Sequence, residues 1–199
     1  MREPINGSML RTIFLLLTRA HYSSPTNYGY LTEQLKCFKW DVDPAKSTIN
    51  VALSQEYDTI KSSIRPAIFV GLDQPIKFSK ADMGNTQSTL SDNSGYCTVN
   101  VASTALSIIH VAETVDQAQL LADSTMSFFV GLQEPIRGVL NLTSFSPISI
   151  SPPAIVEKLP EKSFRIDVTI GLSYNYNVMV NIESHRLKNF AIEFTSDAS

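Results

Sequence analysis

From Phe164 to Ile182 every even position is apolar: Phe164, Ile166, Val168, Ile170, Leu172, Tyr174, Tyr176, Val178, Val180 and Ile182. Every odd position except Met179 is polar or glycine. A period of two held in one phase over this length is a strand signal with one buried and one wet face, and no helix fits it. A straight strand of this length spans roughly 60 Å at about 3.3 Å per residue, whereas a compact chain of this size has a radius of gyration of about 16 Å. The segment therefore bends, protrudes or turns back. A two-residue hairpin loop would put opposite parities on one face, so the phase predicts either a three- or five-residue loop near 171–177 or one long strand bent at Gly171.

The rest of the chain supplies helices for that sheet. Met9, Ile13, Leu16, Leu17 and Ala20 fall at helical spacing behind Pro4, which predicts an amphipathic helix over Ile5 to His21 with this stripe inward. Asn27 to Tyr30 reads as a turn, Leu31 to Trp40 as either helix or strand, and Asp43-Pro44 as a break. Ile49, Val51 and Leu53 alternate as a short strand. Ile64 to Leu72 is almost continuously apolar, as in a strand covered on both sides, with Pro66 at its start. Cys97 to Val101 and Leu106 to Val111 form one broken strand or two.

Thr114 and Gln117 make a capping box ahead of Ala118, Leu121, Ala122, Met126 and Phe129, a second helix expected to stop at Gly131 and Pro135. Ser79 to Gly95, polar apart from Met83 and Leu90, reads as a contact loop or arm. Pro147, Pro152, Pro153 and Pro160 make 146–160 an extended connector, and Phe190 to Phe194 alternates as a last strand. The expected fold is a single α+β domain over residues 1–199: a mixed, mostly antiparallel sheet packed on two main helices, with a long β segment or hairpin near the C-terminus. An echo between Phe69–Lys77 and Phe129–Arg137, identical at six of nine positions, joins a strand context to a helical one and is read as coincidence.

Composition narrows function mainly by exclusion. A net charge of −3 argues against free binding to duplex DNA, which depends on phosphate neutralisation. Cys37 and Cys97 match no metal or redox spacing; both read as reduced thiols of an intracellularly assembled protein, with a single bridge between them left open. Ile13 to Leu17 is too short for a membrane span or a signal-peptide core. Asn6-Gly7-Ser8 and Asn141-Leu142-Thr143 fit the glycosylation triplet, which arises often by chance.

His21, His110 and His185 lie far apart with no partner at metal spacing. They read as a helix-end residue, a strand residue and a loop residue. Asp41 and Asp43 flank a turn, while Asp73 with Asp82, or Glu157 with Glu161, would meet only through folding. No nucleophile elbow, phosphate loop or dinucleotide fingerprint occurs, so catalytic residues, metal and cofactor are all expected to be none. Tyr28, Tyr30, Phe38 and Trp40, interleaved with Lys36 and Lys39, permit a single-strand stacking platform; a core made of Leu31, Leu35 and Phe38 is the plainer alternative. Tyr174 and Tyr176 suit either an interface or the domain's own core.

The order of parts carries a family resemblance. An amphipathic N-terminal helix precedes a strand and the Arg65-Pro66-Ala67-Ile68-Phe69-Val70 motif. A polar insertion then leads to the strand–helix pair from Leu106 to Phe129, a proline-rich connector and the long alternating segment. Over roughly Met9 to Phe194 this resembles the neck and tail-completion proteins of tailed bacteriophages, most nearly the tail terminators. The resemblance implies a virion structural protein, assembled in the host cytoplasm, that forms a homo-hexameric ring at the top of the tail tube. Its implied partners are further copies of itself, the tail tube protein and the neck or head connector protein, with DNA passing the lumen without specific binding and no membrane. Phe78, Met83, Leu90, Tyr174 and Tyr176 are the expected subunit or partner contacts. The alternatives are a head-completion or head–tail connector protein of the same neck and, from another class, a soluble single-strand or small-ligand binding module. A hydrolase whose site arises only through tertiary contacts is a third.

Overall fold

The computed structural model describes residues 6–24, 35–56, 66–80, 87–89, 95–156 and 163–181. In chain order its elements are α1 (Gly7–Ser23), β1 (Asn50–Leu53), β2 (Ala67–Leu72), β3 (Lys77–Lys80), β4 (Gln87–Thr89), β5 (Gly95–Ala112), α2 (Val115–Gly131), α3 (Gln133–Leu140), β6 (Leu142–Ile150), β7 (Ala154–Val156) and β8 (Ser163–Asn181). The described strands form one sheet in the order β1-β2-β5-β8-β6, with β3 and β4 joined to β5 and β7 to β8. Only β1 and β2 pair parallel among them, so the protein is an α+β fold with a mixed, mostly antiparallel sheet.

The long alternating segment is a single strand. β8 pairs with β5 in unbroken antiparallel register from Gly95↔Asn181 to Ala112↔Phe164, so no hairpin loop interrupts 171–177. The even residues Ile166, Val168, Ile170, Leu172 and Tyr174 are buried, whereas Thr169, Gly171 and Ser173 keep partial exposure, as their parity requires. β5 is likewise one strand, and its even residues Ala102, Leu106, Ile108 and Ala112 face the same core. β2 is buried on both faces: Ile68 and Val70 join the main core, while Ala67 and Phe69 form a smaller cluster with Ala52 and Val111 on the other side.

Helix α1 begins at Asn6, whose side chain accepts from the Met9 amide at 2.8 Å. Its buried face corrects the expected stripe. Leu10, Phe14, Leu15, Thr18, His21 and Tyr22 point inward, while Met9, Leu16 and Ala20 are exposed and Ile13 and Leu17 half-buried. Large aromatic groups decide much of this, because Phe14 packs on Phe129 and Phe145 at ring-centroid distances of 5.5 and 5.8 Å.

Helix α2 starts where the capping box predicted, with Thr114 Oγ1 accepting from the Gln117 amide. It ends at Gly131, as expected. Pro135 does not keep the following residues from being helical, because it is the third residue of α3, in the first turn, where the missing amide hydrogen has no helical acceptor to lose. Asn141, at a φ of 51°, closes α3 in the left-handed conformation and turns the chain into β6.

The proline-rich connector is corrected as well: 146–150 belongs to β6 and 154–156 to β7, both paired with β8. Proline is tolerated because β6 is an edge strand, and its register slips between Pro147 and Ser149. Part of the expected contact loop at 79–95 is also sheet, since Ser79–Lys80 and Gln87–Thr89 pair with the distal half of β5. The turn at 27–30, the strand at 190–194, Ile182 and the carboxylates Asp82, Glu157 and Glu161 lie outside the described residues.

Candidate functional site

A buried polar layer lies where the C-terminal end of α1 meets α2 and the sheet. It brings together His21 and Tyr22 of α1, Ser124 and Thr125 of α2, and His110 of β5. Even parity on β5 turns His110 inward, level with Ile68 and Ile166, and leaves it fully buried. Ser124 and Thr125 sit on the α2 face that also carries Ala118, Leu121, Ala122 and Phe129.

The hydrogen-bond directions follow from one carbonyl. His110 Nδ1 lies 3.3 Å from the Ile166 carbonyl oxygen, which can only accept, so the proton is on Nδ1 and Nε2 is an acceptor. The Thr125 hydroxyl, 2.8 Å away, therefore donates to Nε2. With that hydrogen committed, Thr125 Oγ1 accepts from the Tyr22 hydroxyl at 2.9 Å, and Tyr22 shares its single hydrogen with the Leu121 carbonyl at 3.0 Å. His21 Nε2 meets Ser124 Oγ at 2.9 Å. The His21 ring stacks at 4.2 Å on Phe128 and sits edge-on to Tyr22 at 4.7 Å.

Burial sets the protonation states. It pushes His21 down to about 3, with the neighbouring His110 adding to the effect. It pushes His110 down to about 4, opposed by the Ile166 carbonyl and the Asp167 carboxylate. The Tyr22 phenol is raised above its ordinary value, again by burial. Both imidazoles are neutral near pH 7. Asp167 occupies the opposite face of β8, where it pairs with Arg165 at 2.6 Å, so it completes no Ser–His–carboxylate arrangement with Ser124 and His21. His21 is 7%, Ser124 3% and His110 0% exposed, so the layer lies beneath the surface.

Sequence reading kept the histidines apart. The available signal was the pair Ser124-Thr125 on the core face of an otherwise apolar helix, which buried polar groups satisfy only by finding partners. His185 lies outside the described residues, and among the described residues no group of three or more His, Cys, Asp or Glu could hold a metal ion.

The expected contact residues separate clearly. Phe78 is exposed on β3. Tyr174 is corrected: it is 2% exposed and belongs to the subunit's own core, because its even parity faces the helices. Tyr176 pairs through its backbone with Asn100 on the distal ribbon, its side chain lying outside the description, and Met83 and Leu90 lie outside the described residues. Of the stacking-platform aromatics, Phe38 is buried in the core with Leu35, and Trp40 lies under the Arg19 guanidinium, 5.0 Å from its ring centroid. Tyr28 and Tyr30 lie outside the described residues. Cys37 is exposed, and no helix among the described residues is long and apolar enough to cross a membrane.

Two surface features remain. The β5–β8 ribbon contains no Asp, Glu, Lys or Arg from Gly95 to Ala112 or from Val168 to Asn181, in a chain whose charged share is 18%. Its β6 neighbour reaches only to Leu142↔Tyr174, so 175–181 continues beyond that strand. The outer stripe of α1 adds an apolar surface of its own, with Leu16 57% and Met9 43% exposed. No protein-family model and no curated protein matches this chain.

Proposed function

We propose that this chain is a virion structural subunit, a tail terminator that forms a ring on the end of a phage tail tube and joins it to the neck. The observation that carries the reading is the β5–β8 ribbon, two strands of 18 and 19 residues in continuous register and almost free of charge. At about 3.3 Å per residue such a ribbon is roughly 60 Å long, more than a lone domain of this size needs to close its core. Ring subunits join by heterologous contacts that close, and a long ribbon together with an apolar helix face supplies surfaces of that kind.

The sealed histidine layer suits a structural role, since its polar groups satisfy one another. The reading gives the chain four sets of neighbours: copies of itself, the tail tube protein, the head connector, and DNA that slides past. A ribbon whose single Arg or Lys, Arg165, is paired with Asp167 gives phosphates little to hold. The test is genetic. Particles lacking the protein are expected to carry tails of uncontrolled length that fail to join heads. Tails of normal length beside unjoined heads would favour the head–tail connector reading, and normal particles would reject both.

A further inference from the structure

Helix α1 has two apolar faces, centred about 140° apart at 3.6 residues per turn. The inner face carries Leu10, Phe14, Leu15 and Tyr22 but also Thr18 and His21, whereas Met9, Ile13, Leu16, Leu17 and Ala20 on the outer face are all apolar. The outer stripe is the more uniformly apolar, so the observed rotation needs specific partners: Phe14 packs on Phe129 and Phe145, and a second set of partners is polar. The polar groups of the inner face meet partners fixed on other elements: His21 meets Ser124, and Tyr22 meets Thr125 and the Leu121 carbonyl. If the helix turned over, Ser124 and Thr125 would face Ile13, Leu17 and Ala20, which offer no polar atoms, while Tyr22 and His21 would leave their acceptors.

We propose that the layer formed by Tyr22–Thr125–His110 and His21–Ser124 is a rotational lock. It fixes which face of α1 enters the core and so keeps Met9, Leu16 and Ala20 on the surface. Polar groups that specify register in an apolar interface work on the same principle. The lock does not depend on the chain being a ring subunit.

The test uses the full chain with Cys37→Ser and Cys97→Ser, carrying either Leu16→Cys as an outer reporter or Thr18→Cys as an inner one, 1% exposed at present. With the layer intact, the outer thiol is expected to react about 100-fold or more faster than the inner one. Adding Tyr22→Phe, Ser124→Ala and Thr125→Val removes three hydroxyls with little change of volume. The outer thiol should then slow by about twofold and the inner one quicken by about fiftyfold, as the two rotations become comparably populated. An unchanged ratio means packing alone sets the rotation and overturns the proposal. Acceleration of both thiols means that the helix detaches rather than turns, and overturns it too. If the triple variant loses its helical circular dichroism, Tyr22→Phe alone decides: the inner thiol is expected to quicken by about twofold or more with the outer one no faster, and an unchanged inner rate overturns the proposal.

Discussion

Thr125 Oγ1 lies 2.8 Å from Nε2 of His110 and, with its hydrogen donated there, accepts from the Tyr22 hydroxyl. Replacing Thr125 by Val keeps the shape but leaves Nε2 of His110 without the hydroxyl that donates to it, while the Tyr22 hydroxyl keeps the Leu121 carbonyl. The expected cost is about 1–3 kcal/mol, from the desolvation of a buried acceptor left unsatisfied. Thr125→Ser, which keeps the hydroxyl, should cost about 1 kcal/mol or less. Urea unfolding of the two variants separates these outcomes.

Stability should fall in acid through the same layer. His21 and His110 titrate near 3 and 4 in the fold and near 6.5 when unfolded, so below pH 6.5 the unfolded chain binds more protons. The stabilisation is fully present above 6.5 and is lost as the pH falls through 4 towards 3. For His110 alone the difference is on the order of 3 kcal/mol. His110→Gln should flatten the dependence of the urea midpoint on pH between 4 and 6.5, whatever it does to stability at pH 7.

Two strand glycines should respond differently to alanine. A Cβ on Gly71 would come within 2.7 Å of the Ser54 Cβ, which sits on backbone that must shift, so Gly71→Ala should cost about 1–3 kcal/mol. Ser54→Gly should recover part of the loss. A Cβ on Gly171 would meet the Cδ1 end of Ile148 at 2.7 Å, with Ile148 Cγ1 at 3.4 Å and the Ser146 carbonyl oxygen at an ordinary 3.9 Å. Ile148 is 61% exposed and can swing aside, so Gly171→Ala should change stability by about 0.5 kcal/mol at most. Thermal unfolding of the three variants, Gly71→Ala, Gly71→Ala with Ser54→Gly, and Gly171→Ala, makes the comparison.

The Thr114 cap gives a local check on α2. Its hydroxyl accepts from the Gln117 amide at 3.2 Å, and Thr114→Ala should cost about 1 kcal/mol while leaving the fold unchanged. Thr114→Asp should retain stability, because a carboxylate accepts the same bond and faces the positive end of the helix dipole.

What the sequence made legible was set by local periodicity. The phase of Phe164–Tyr174 gave the buried face of β8, the apolar run around Phe69 gave a strand covered on both sides, and Thr114 gave the start of α2. Periodicity misled where two patterns competed. On α1 the purely apolar stripe lies outside, because the inner face holds the larger aromatics and a hydrogen-bonded layer whose partners are 103 residues away in the chain. Prolines misled where context relieved them: Pro147 lies on a sheet edge at a register slip, and Pro135 in the first turn of a helix. The meeting of His21 with Ser124 is a tertiary fact with no local signature beyond polar residues on an apolar helix face.

The most direct test of the assembly account is the mass of the purified chain in solution, followed by class averages of the protein alone and mixed with tail tubes. The account predicts a closed ring, free or capping tube ends, joined by heterologous contacts and, as the family resemblance implies, of six subunits. A monodisperse monomer that leaves tube ends bare would contradict it.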